Sequence, residues 1–352
     1  MTVKVGINGF GRIGRIIFRI WANRIRAGEN VPWDIVAVNS RSKTQIKGHT
    51  LKYDTVYGRF NCEYDEGSDE IRLPDIGKTI KCLTCDDPST LPWKKMGVDV
   101  SVEATGKFTD RAGCQKQLDA GAKKVFISAP GKGEGPDLTV VWGINQDSYN
   151  PAKHKIISNA SCTTNCLAPL VKVLNDGLGI EAGLMLTVHA FTATQNLLDN
   201  SHKDLRRARG ASLNLIPTTT GAAKAVGLVI PEVQGKLTGF AVRVPTPTVS
   251  FVDLTCWVKK ETSAGAVNEL FKSAASGGMK DIIYYETEPC VSSDYIGTRY
   301  SSIFDSALTQ VMGGRLIKVI GWYDNKWGYT EALVDMLTFM VEKGVQAEVA
   351  AA

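Results

Sequence analysis

The sequence predicts an α/β protein of two domains, the first built on a parallel sheet and the second, of α+β type, on a mixed or antiparallel sheet. Two patterns support this fold class. Short β-branched runs alternate with helix-length segments in the first third of the chain, which is typical of a parallel sheet covered by helices. Longer alternating strands follow, and these favour antiparallel pairing. The length of 352 residues suits about two domains.

The elements of the first domain are bounded by Gly, Asn or Pro. We predict strands at residues 3–8, 34–39, 98–105 and 123–128, and helices at residues 15–26 and 110–120. After Cys162 a helix precedes longer strands at residues 183–193, 237–246 and 250–258. A helix at residues 329–342 is predicted because its apolar residues recur at helical spacing. A second domain therefore begins near residue 160.

Composition and charge narrow the classes of protein. Hydrophobic residues make up 43% of the chain, and Lys plus Arg exceed Asp plus Glu by 41 to 36. This mild surplus is scattered, so it indicates neither nucleic-acid nor membrane binding. No apolar run approaches the roughly 18 residues of a membrane span, and the N-terminus has the pattern of a strand, not of a secretory signal. We therefore expect a cytoplasmic protein whose eight cysteines are reduced.

The first predicted strand leads into a glycine-rich turn, GINGFGRIGR, that opens a helix. Gly9, Gly11 and Gly14 have the G-x-G-x-x-G spacing, in which the backbone can approach a pyrophosphate and helix N–H groups bind its charge. The strand before it, the helix after it and the next strand predict a Rossmann dinucleotide-binding domain. The acid that usually follows the second strand is missing, since Ser40 and Arg41 stand there.

The stretch SNASCTTNCLAP raises the question of a metal site, a disulfide, a redox pair or one nucleophile. We predict no metal, because the chain has only four histidines, and we interpret the C-x-x-C of Cys82 and Cys85 as structural or incidental. If a helix begins near Ser161, Cys162 and Cys166 lie one turn apart, which does not favour a disulfide. Cys162 then lies in the first turn, where the helix dipole favours a thiolate. With His189 as base and a dinucleotide loop, this favours dehydrogenation through a thioester.

Seven blocks follow one another along essentially the whole chain: NGFGRIGR, SNASCTTNCLAP, HAFTATQ, DLRRARGA, IPTTTGAAKAV, GKLTGFAVRVPTPTVS and WYDNKWGY. In content and order they resemble the phosphorylating glyceraldehyde-3-phosphate dehydrogenase family. The resemblance implies a dinucleotide-binding domain at residues 1–161, completed by a C-terminal helix within residues 325–352, and a catalytic domain at residues 162–324. It also implies a homotetramer that oxidises D-glyceraldehyde 3-phosphate with inorganic phosphate.

The resemblance assigns roles to the matching residues. Cys162 would be the nucleophile and His189 the base that activates it and assists hydride transfer. Thr192 and Arg243 would hold the phosphate of the substrate. The attacking inorganic phosphate would be held by Ser161, Thr163, Thr220 and Gly221, with Arg207 reaching toward both anions. Beside these family assignments, we predict that the dinucleotide is bound by Gly9, Gly11, Arg12, Ile13, Gly14, Ser40, Arg41, Thr105, Ser128, Ser201 and Asn325. By the resemblance, Asn325 would orient the nicotinamide carboxamide, whereas Ser40 and Arg41 depart from the family.

The residues after the second strand bear on which cofactor is used. An acid there would repel a 2′-phosphate, whereas Ser40 lifts that repulsion and Arg41 offers a charged fork. By the resemblance, Ser201 stands where NAD-restricted members often have Pro, and a serine can reach the 2′-phosphate from a neighbouring subunit. We therefore expect NADP to be accepted at least as well as NAD. The alternative is that Ser40 bonds an unphosphorylated ribose and Arg41 points to solvent.

Three other functions remain open from the sequence. Oxidation of erythrose 4-phosphate uses the same nucleophile and base, with water in place of phosphate as the acyl acceptor. A non-catalytic nucleotide- or RNA-binding protein would have no need for the pair of Cys162 and His189. An aspartate-semialdehyde-type dehydrogenase would not predict the SCTTNC and HAFTATQ blocks. The resemblance therefore favours the glyceraldehyde 3-phosphate activity, with no membrane and no obligatory nucleic acid as partner.

Overall fold

The computed structural model describes residues 2–65 and 67–345, and these divide into two units. The first unit contains the chain up to Val140, the segment Gln146–Ala160 and the chain from Leu333 onward. The second unit contains Val141–Asn145 and Ser161–Ala332. The predicted terminal segment 325–352 is covered only in part, because residues 346–352 lie outside the described part of the chain.

The described residues of the first unit form a nine-stranded sheet and a small two-stranded ladder. The strands are β1 (Val3–Asn8), β2 (Trp33–Asn39), β3 (Tyr53–Asp54), β4 (Gly58–Arg59), β5 (Glu63–Tyr64), β6 (Glu70–Leu73), β7 (Lys78–Leu83), β8 (Val100–Glu103), β9 (Lys124–Ile127), β10 (Leu138–Thr139) and β11 (Ile156–Ser158). The α-helices are α1 (Arg12–Arg26), α2 (Thr44–Lys52), α3 (Trp93–Met96) and α4 (Arg111–Asp119).

Parallel strands form most of this sheet, whose order is β10-β11-β9-β8-β1-β2-β7-β6-β5. Neighbours from β10 to β7 are parallel, and the pairs that involve β6 are antiparallel. Because β1, β2 and β8 run in one direction side by side, their ends at Asn8, Asn39 and Glu103 meet at one edge of the sheet. Ligands of parallel sheets bind at such an edge.

The turn between β1 and α1 depends on two glycines. Gly9 has a φ of 108°, a conformation that residues with a side chain disfavour. A Cβ at Gly14 would lie 2.1 Å from the carbonyl oxygen of Gly9, so the close approach of helix and turn requires glycine there as well. Helix α1 is held in place by its buried apolar face, which includes Ile16, Ile17 and Ile20.

The described residues of the second unit form an eight-stranded sheet and the helices around it. The strands are β12 (Ile180–Ala190), β13 (Ile216–Thr219), β14 (Leu237–Val244), β15 (Ser250–Val258), β16 (Ile283–Glu286), β17 (Ser302–Asp305), β18 (Gln310–Met312) and β19 (Leu316–Tyr323). The α-helices are α5 (Cys162–Leu178), α6 (Ala222–Val229), α7 (Ala264–Ser276) and α8 (Trp327–Lys343), and α8 continues past Ala332 into the first unit.

This second sheet is mixed. Its order is β13-β14-β12-β15-β19-β17-β16, with β18 paired to β19. The pairs β12/β14 and β16/β17 are parallel, and the other pairs are antiparallel. Helix α5 packs on β15, β17 and β19 through buried residues such as Leu167, Leu170 and Leu174. The start of α5 is thereby fixed relative to the sheet.

The predicted fold class is confirmed, since one sheet is mostly parallel and the other is mixed. The bounds of individual elements differ from the predicted ones. The helix predicted from residue 15 begins at Arg12, because Arg12 and Gly14 in its first turn do not belong to the apolar pattern that predicted the helix. The strand predicted to reach residue 193 ends at Ala190, whose N–H donates at 3.0 Å to the side-chain hydroxyl of Ser250 in β15 and not to a backbone carbonyl.

The glycine turn allows a direct test. Gly14→Ala should lower the free energy of unfolding by about 3 kcal/mol, because the new methyl group collides with a backbone oxygen that has little room to move. Gly11→Ala is the matched control, since a Cβ at Gly11 meets nothing within 4 Å, and we expect it to cost about 1 kcal/mol at most. Urea unfolding followed by tryptophan fluorescence measures both. Equal losses would contradict the packing described for Gly14.

Candidate active site

The first unit has a cavity of about 410 Å³ where β1, β2 and β8 end. Its walls combine the glycine turn, the ends of these three strands and the loop after β7. The lining residues are Asn8, Gly9, Phe10, Gly11, Asn39, Ser40, Arg41, Cys85, Asp86, Ala104, Thr105, Lys107 and Phe108. Five residues predicted to bind a dinucleotide are therefore brought together: Gly9, Gly11, Ser40, Arg41 and Thr105.

Buried hydrogen bonds hold the strand ends in this arrangement. Asn39 donates to the Oδ1 of Asn8 at 2.8 Å and to the carbonyl of Cys85 at 2.9 Å. Asn8 in turn donates to Glu103 at 2.7 Å. The backbone N–H of Thr105 donates to the other oxygen of Glu103 at 2.8 Å. The pKa of Glu103 is raised overall, because the effect of burial exceeds the lowering effect of these donors. Sequence reasoning missed this network, because its members come from separate segments.

The cavity suits a dinucleotide. Helix α1 begins after Gly11, and no side chain caps its N-terminus, so N–H groups of the first turn are available to an anion. The Nη2 atom of Arg12 is buried and has no hydrogen-bond partner among the described residues. Arg12 otherwise pairs with Asp54. Of the other predicted residues, Ile13, Gly14 and Ser128 do not line the cavity, and the Ser128 hydroxyl donates to the carbonyl of Glu103 at 3.1 Å.

Arg41 at the rim of the cavity faces an acid. Its Nε atom lies 3.5 Å from a carboxylate oxygen of Asp86, and the two side chains are 68% and 78% exposed. An ion pair this exposed contributes little, so the guanidinium can turn to another anion. Asp86 nevertheless adds a negative charge to the rim, which the sequence of the second strand does not reveal.

In the second unit, Cys162 is the first residue of α5. Ser161 caps this helix by accepting a hydrogen bond from the N–H of Thr164 at 3.0 Å. The preceding residue, Ala160, is buried and has a φ of 54°, a left-handed conformation that costs a non-glycine residue about 1 kcal/mol. The tight turn lets the chain leave β11 and enter α5 at once. Cys162 itself is half-buried.

The structure brings Cys162 and His189 together. His189 lies near the end of β12, and its Nε2 atom is 3.4 Å from the Cys162 sulfur. Parallel pairing of β12 with β14 places Arg243 opposite His189, and Nη1 of Arg243 lies 2.6 Å from Nδ1 of the imidazole. Nδ1 is also 2.6 Å from the carbonyl oxygen of Ala190. Nδ1 can either donate to Ala190 or accept from Arg243, but it cannot do both at once.

Burial sets the protonation of this pair. It lowers the pKa of His189 well below its ordinary value, and the positive charge of Arg243 lowers it further. Burial raises the pKa of Cys162, while Arg243 and Lys326 lower it. The imidazole is therefore neutral at physiological pH and can act as a base. The net direction for Cys162 is upward, so formation of the expected thiolate needs this base.

The other predicted anion-binding residues have local partners. Arg207 donates to Thr218 at 2.7 Å, and Thr192 donates to Gln195 at 3.1 Å. The remaining residues lie near a helix start or an exposed turn. Thr220 accepts from the Ala222 N–H, Gly221 is the N-cap residue of α6 and offers no side-chain cap, and Ser201 is exposed beside Asn200. Among the described contacts, none of these joins the trio of Cys162, His189 and Arg243.

Sequence reasoning missed two side chains, Tyr323 and Ser250, that contact predicted site residues. The hydroxyl of Tyr323 lies 2.9 Å from that of Thr163, and the ring of Tyr323 packs edge-on against His189. Ser250 donates to the Oδ1 of Asn325 at 3.2 Å, which leaves the amide nitrogen of Asn325 as a donor. The motif WYDNKWGY contains Tyr323 and Asn325, but the motif does not show which hydroxyl groups these two side chains contact.

The described residues contain neither a candidate metal centre nor a candidate membrane span. No group of three or more His, Cys, Asp or Glu side chains is arranged to hold a metal ion. None of the described helices is both long and apolar enough to cross a membrane.

Two family models match the chain. The model described as "Glyceraldehyde 3-phosphate dehydrogenase, NAD binding domain" matches residues 3–111, and the one described as "Glyceraldehyde 3-phosphate dehydrogenase, C-terminal domain" matches residues 161–325. The cavity described above lies within the first match. The thiol, the imidazole and Arg243 lie within the second.

Relatives match over almost the whole length. The chain is 51% identical over 341 residues to a protein of Streptomyces coelicolor, which covers 97% of this chain and 99% of that protein. It is 51% identical over 345 residues to a protein of Bacillus subtilis, with 98% and 100% covered. A protein of Geobacillus stearothermophilus is 50% identical over 345 residues, again with 98% and 100% covered. All three carry the name glyceraldehyde-3-phosphate dehydrogenase.

The geometry predicts which thiol reacts first. At pH 8 we expect iodoacetamide to label Cys162 before the other cysteines, because Cys162 is partly exposed and next to a base, whereas burial raises the pKa of Cys166 to about 12. His189→Asn should slow this labelling by more than about tenfold. Peptide mapping after timed labelling measures both rates. Faster labelling of the partly exposed Cys85 or Cys290 would contradict the prediction.

Proposed function

The chain belongs to the glyceraldehyde-3-phosphate dehydrogenase family, and we propose that it oxidises D-glyceraldehyde 3-phosphate with NAD(P) and inorganic phosphate to 1,3-bisphosphoglycerate. The observation that carries this proposal is the 3.4 Å between the Cys162 sulfur and Nε2 of His189. A protein that only binds nucleotides would not need this pair. The domains proposed from sequence are residues 1–161 with the C-terminal helix, and residues 162–324.

The chemistry follows from a neutral thiol beside a neutral imidazole. His189 takes the proton of Cys162 at Nε2, and the thiolate adds to the aldehyde carbon. The imidazolium returns this proton to the new oxyanion, which gives the hydroxyl of a hemithioacetal and leaves Nε2 free again. His189 then accepts the hydroxyl proton of the hemithioacetal while the C–H bond of the hemithioacetal carbon breaks. The product is a thioester on Cys162. A bound NAD(P) supplies the hydride acceptor for that step. Inorganic phosphate attacks the thioester carbon, so that the acyl phosphate leaves and the thiolate of Cys162 is restored.

This role of His189 determines what Arg243 must do. Nε2 is a base only when the ring proton is on Nδ1, and that proton is then donated to the carbonyl of Ala190. Arg243 cannot remain 2.6 Å from a protonated Nδ1, because both groups are donors. The phosphate of the substrate gives the guanidinium another acceptor, and Nε of Arg243 is buried without a hydrogen-bond partner among the described residues. We assign Thr192 to the same phosphate.

The attacking phosphate is assigned to a second set of donors. Helix α6 begins at Ala222, and its N-cap residue Gly221 offers no side-chain cap. The N–H of Ala222 donates to Thr220, and the other N–H groups of the first turn remain for an anion. Thr220 lies beside this helix start, and Ser161 and Thr163 flank the nucleophile at the start of α5. Arg207 offers a charge-assisted fork to either anion. These assignments rest on the family motifs and on the donors that the residues present.

We propose that NADP is accepted at least as well as NAD. No acid follows β2, and Ser40 and Arg41 line the cavity. The ion pair of Arg41 with Asp86 is exposed and weak enough to yield to a 2′-phosphate. Besides the cavity residues, we assign Arg12, Ile13, Gly14, Ser128, Ser201 and Asn325 to the dinucleotide, with Ser201 acting on a neighbouring subunit.

We also propose a cytoplasmic homotetramer. Apolar side chains of the segment 197–215 are exposed, which is typical of a surface covered by another subunit: Leu197, Leu198, Leu205, Leu213 and Leu215. All eight cysteines are free thiols, as expected in a reducing compartment. Light scattering coupled to size-exclusion chromatography measures the mass of the assembly.

Turnover assays test the proposed reaction. We expect reduced cofactor from D-glyceraldehyde 3-phosphate to accumulate only when inorganic phosphate is present, since phosphate releases the acyl group. Turnover of erythrose 4-phosphate that exceeds this and is unaffected by phosphate would favour the alternative activity. Cys162→Ser should abolish turnover while NAD(P) still binds, and His189→Asn should slow it roughly hundredfold or more. Cys166→Ser is the matched control and should be mild, so an equal loss there would count against Cys162 as nucleophile.

Arg243 can be tested by comparing two aldehydes. Arg243→Gln removes a charge-assisted contact with the substrate phosphate, so kcat/KM for D-glyceraldehyde 3-phosphate should fall at least roughly tenfold. The value for unphosphorylated glyceraldehyde should change much less. Arg207→Gln is the comparison variant, and it should mainly raise the KM for inorganic phosphate. Equal losses on both aldehydes would show that Arg243 is structural.

Cofactor preference is tested at the rim of the cavity. The double variant Ser40→Asp with Arg41→Leu should shift the ratio of kcat/KM for NADP over NAD strongly toward NAD, because an acid repels the 2′-phosphate. Asp86→Asn should shift the same ratio toward NADP, because it removes a negative charge and frees Arg41. Negligible turnover of the unmodified enzyme with NADP, together with good turnover with NAD, would contradict the proposal for this loop.

A further inference from the structure

Tyr323 connects the two elements that carry the thiol and the base. It is the last residue of β19, and its hydroxyl lies 2.9 Å from that of Thr163 and 2.9 Å from that of Thr187. Thr163 follows Cys162 in α5, and Thr187 precedes His189 by two residues in β12. All three hydroxyl-bearing residues are buried. We call Thr187, Tyr323 and Thr163 the hydroxyl chain.

The number of protons restricts how the hydroxyl chain is bonded. Each hydroxyl has one proton to donate and lone pairs that accept. Tyr323 can therefore donate to one threonine and accept from the other, or accept from both, but it cannot donate to both. Burial raises the pKa of Tyr323 well above its ordinary value, so its proton is retained. Three arrangements are possible: the proton of Thr163 is available to another acceptor, the proton of Thr187 is available to another acceptor, or both threonines donate to Tyr323.

The reaction selects among these arrangements. At neutral pH inorganic phosphate offers mainly acceptor oxygens, so a threonine that binds it must donate its only proton to it. This step rests on the proposed function, in which Thr163 holds the attacking phosphate. Thr163 must then accept from Tyr323, and Tyr323 must accept from Thr187.

We propose that Tyr323 is a positioning residue for the attacking phosphate: by donating to Thr163, it directs the Thr163 proton toward the anion. Hydrogen bonds in such a chain strengthen one another, since each donor is also an acceptor. Without Tyr323, the hydroxyl of Thr163 in the first turn of α5 is free to bond a backbone carbonyl instead. Tyr323 therefore determines affinity for phosphate and not for the aldehyde.

Steady-state kinetics of Tyr323→Phe tests the proposal. We expect the KM for inorganic phosphate to rise about fivefold, the worth of one neutral hydrogen bond, while the KM values for D-glyceraldehyde 3-phosphate and NAD(P) stay within about twofold. Thr187→Val should shift the phosphate KM in the same direction by a smaller factor, and it serves as the second variant if Tyr323→Phe does not fold. Tyr295→Phe is the matched control, a buried tyrosine that packs on Trp322, and it should change none of these values.

Two results of these experiments would overturn the inference, and each differs from failure of the proposed function. If Thr163 donates to Tyr323, removal of the phenol hydroxyl frees its proton, and an unchanged or lower phosphate KM would overturn the inference. A parallel rise in the aldehyde KM with slower labelling of Cys162 by iodoacetamide would make Tyr323 a general scaffold residue, which also overturns it. If the unmodified enzyme needs no phosphate, the proposed function itself fails, and the inference fails with it.

Discussion

The 3.4 Å between the sulfur of Cys162 and Nε2 of His189 is the contact on which the catalytic unit depends. Cys162 is the first residue of α5, so its position follows from the helix start that Ser161 caps. His189 is placed by the register of β12 against β14 and β15. A slip of β12 by one residue would turn His189 to the other face of the sheet. The thiol and the base therefore meet only when a helix start and a strand register are both correct.

Burial has opposite consequences for the base and for the nucleophile of this contact. A buried imidazole stays neutral and can accept a proton, but a buried thiolate is costly unless cations lie near it. Arg243 and Lys326 supply that charge, and both lower the pKa of Cys162. The same cations lower the pKa of His189. Arg243 and Lys326 give the site a net positive charge, because Cys162 and His189 beside them are neutral. Anionic substrates can balance this charge. The electrostatics of the free site therefore suit a reaction between two phosphate-bearing reactants.

Local sequence patterns predicted the parts of the protein that depend on neighbours in the chain. The strand, turn and helix around Gly14 could be foreseen because glycine spacing and apolar periodicity are local properties, and the fold class followed from them. The partners of Tyr323 could not be foreseen, because Thr163 lies 160 positions away and the pairing arises only when β19 packs beside α5. The pairing of Arg41 with Asp86 likewise depends on two loops that meet only in the folded sheet.

A thioester on Cys162 is the central claim, and mass spectrometry can detect it directly. The full-length protein is mixed with D-glyceraldehyde 3-phosphate and excess NAD(P) in phosphate-free buffer, quenched in acid and digested. We expect a 3-phosphoglyceroyl group on the peptide that contains Cys162, and we expect added phosphate to remove it before the quench. Reduced cofactor formed in an amount equal to the protein, with that peptide unmodified or with the acyl group on another residue, would contradict the account.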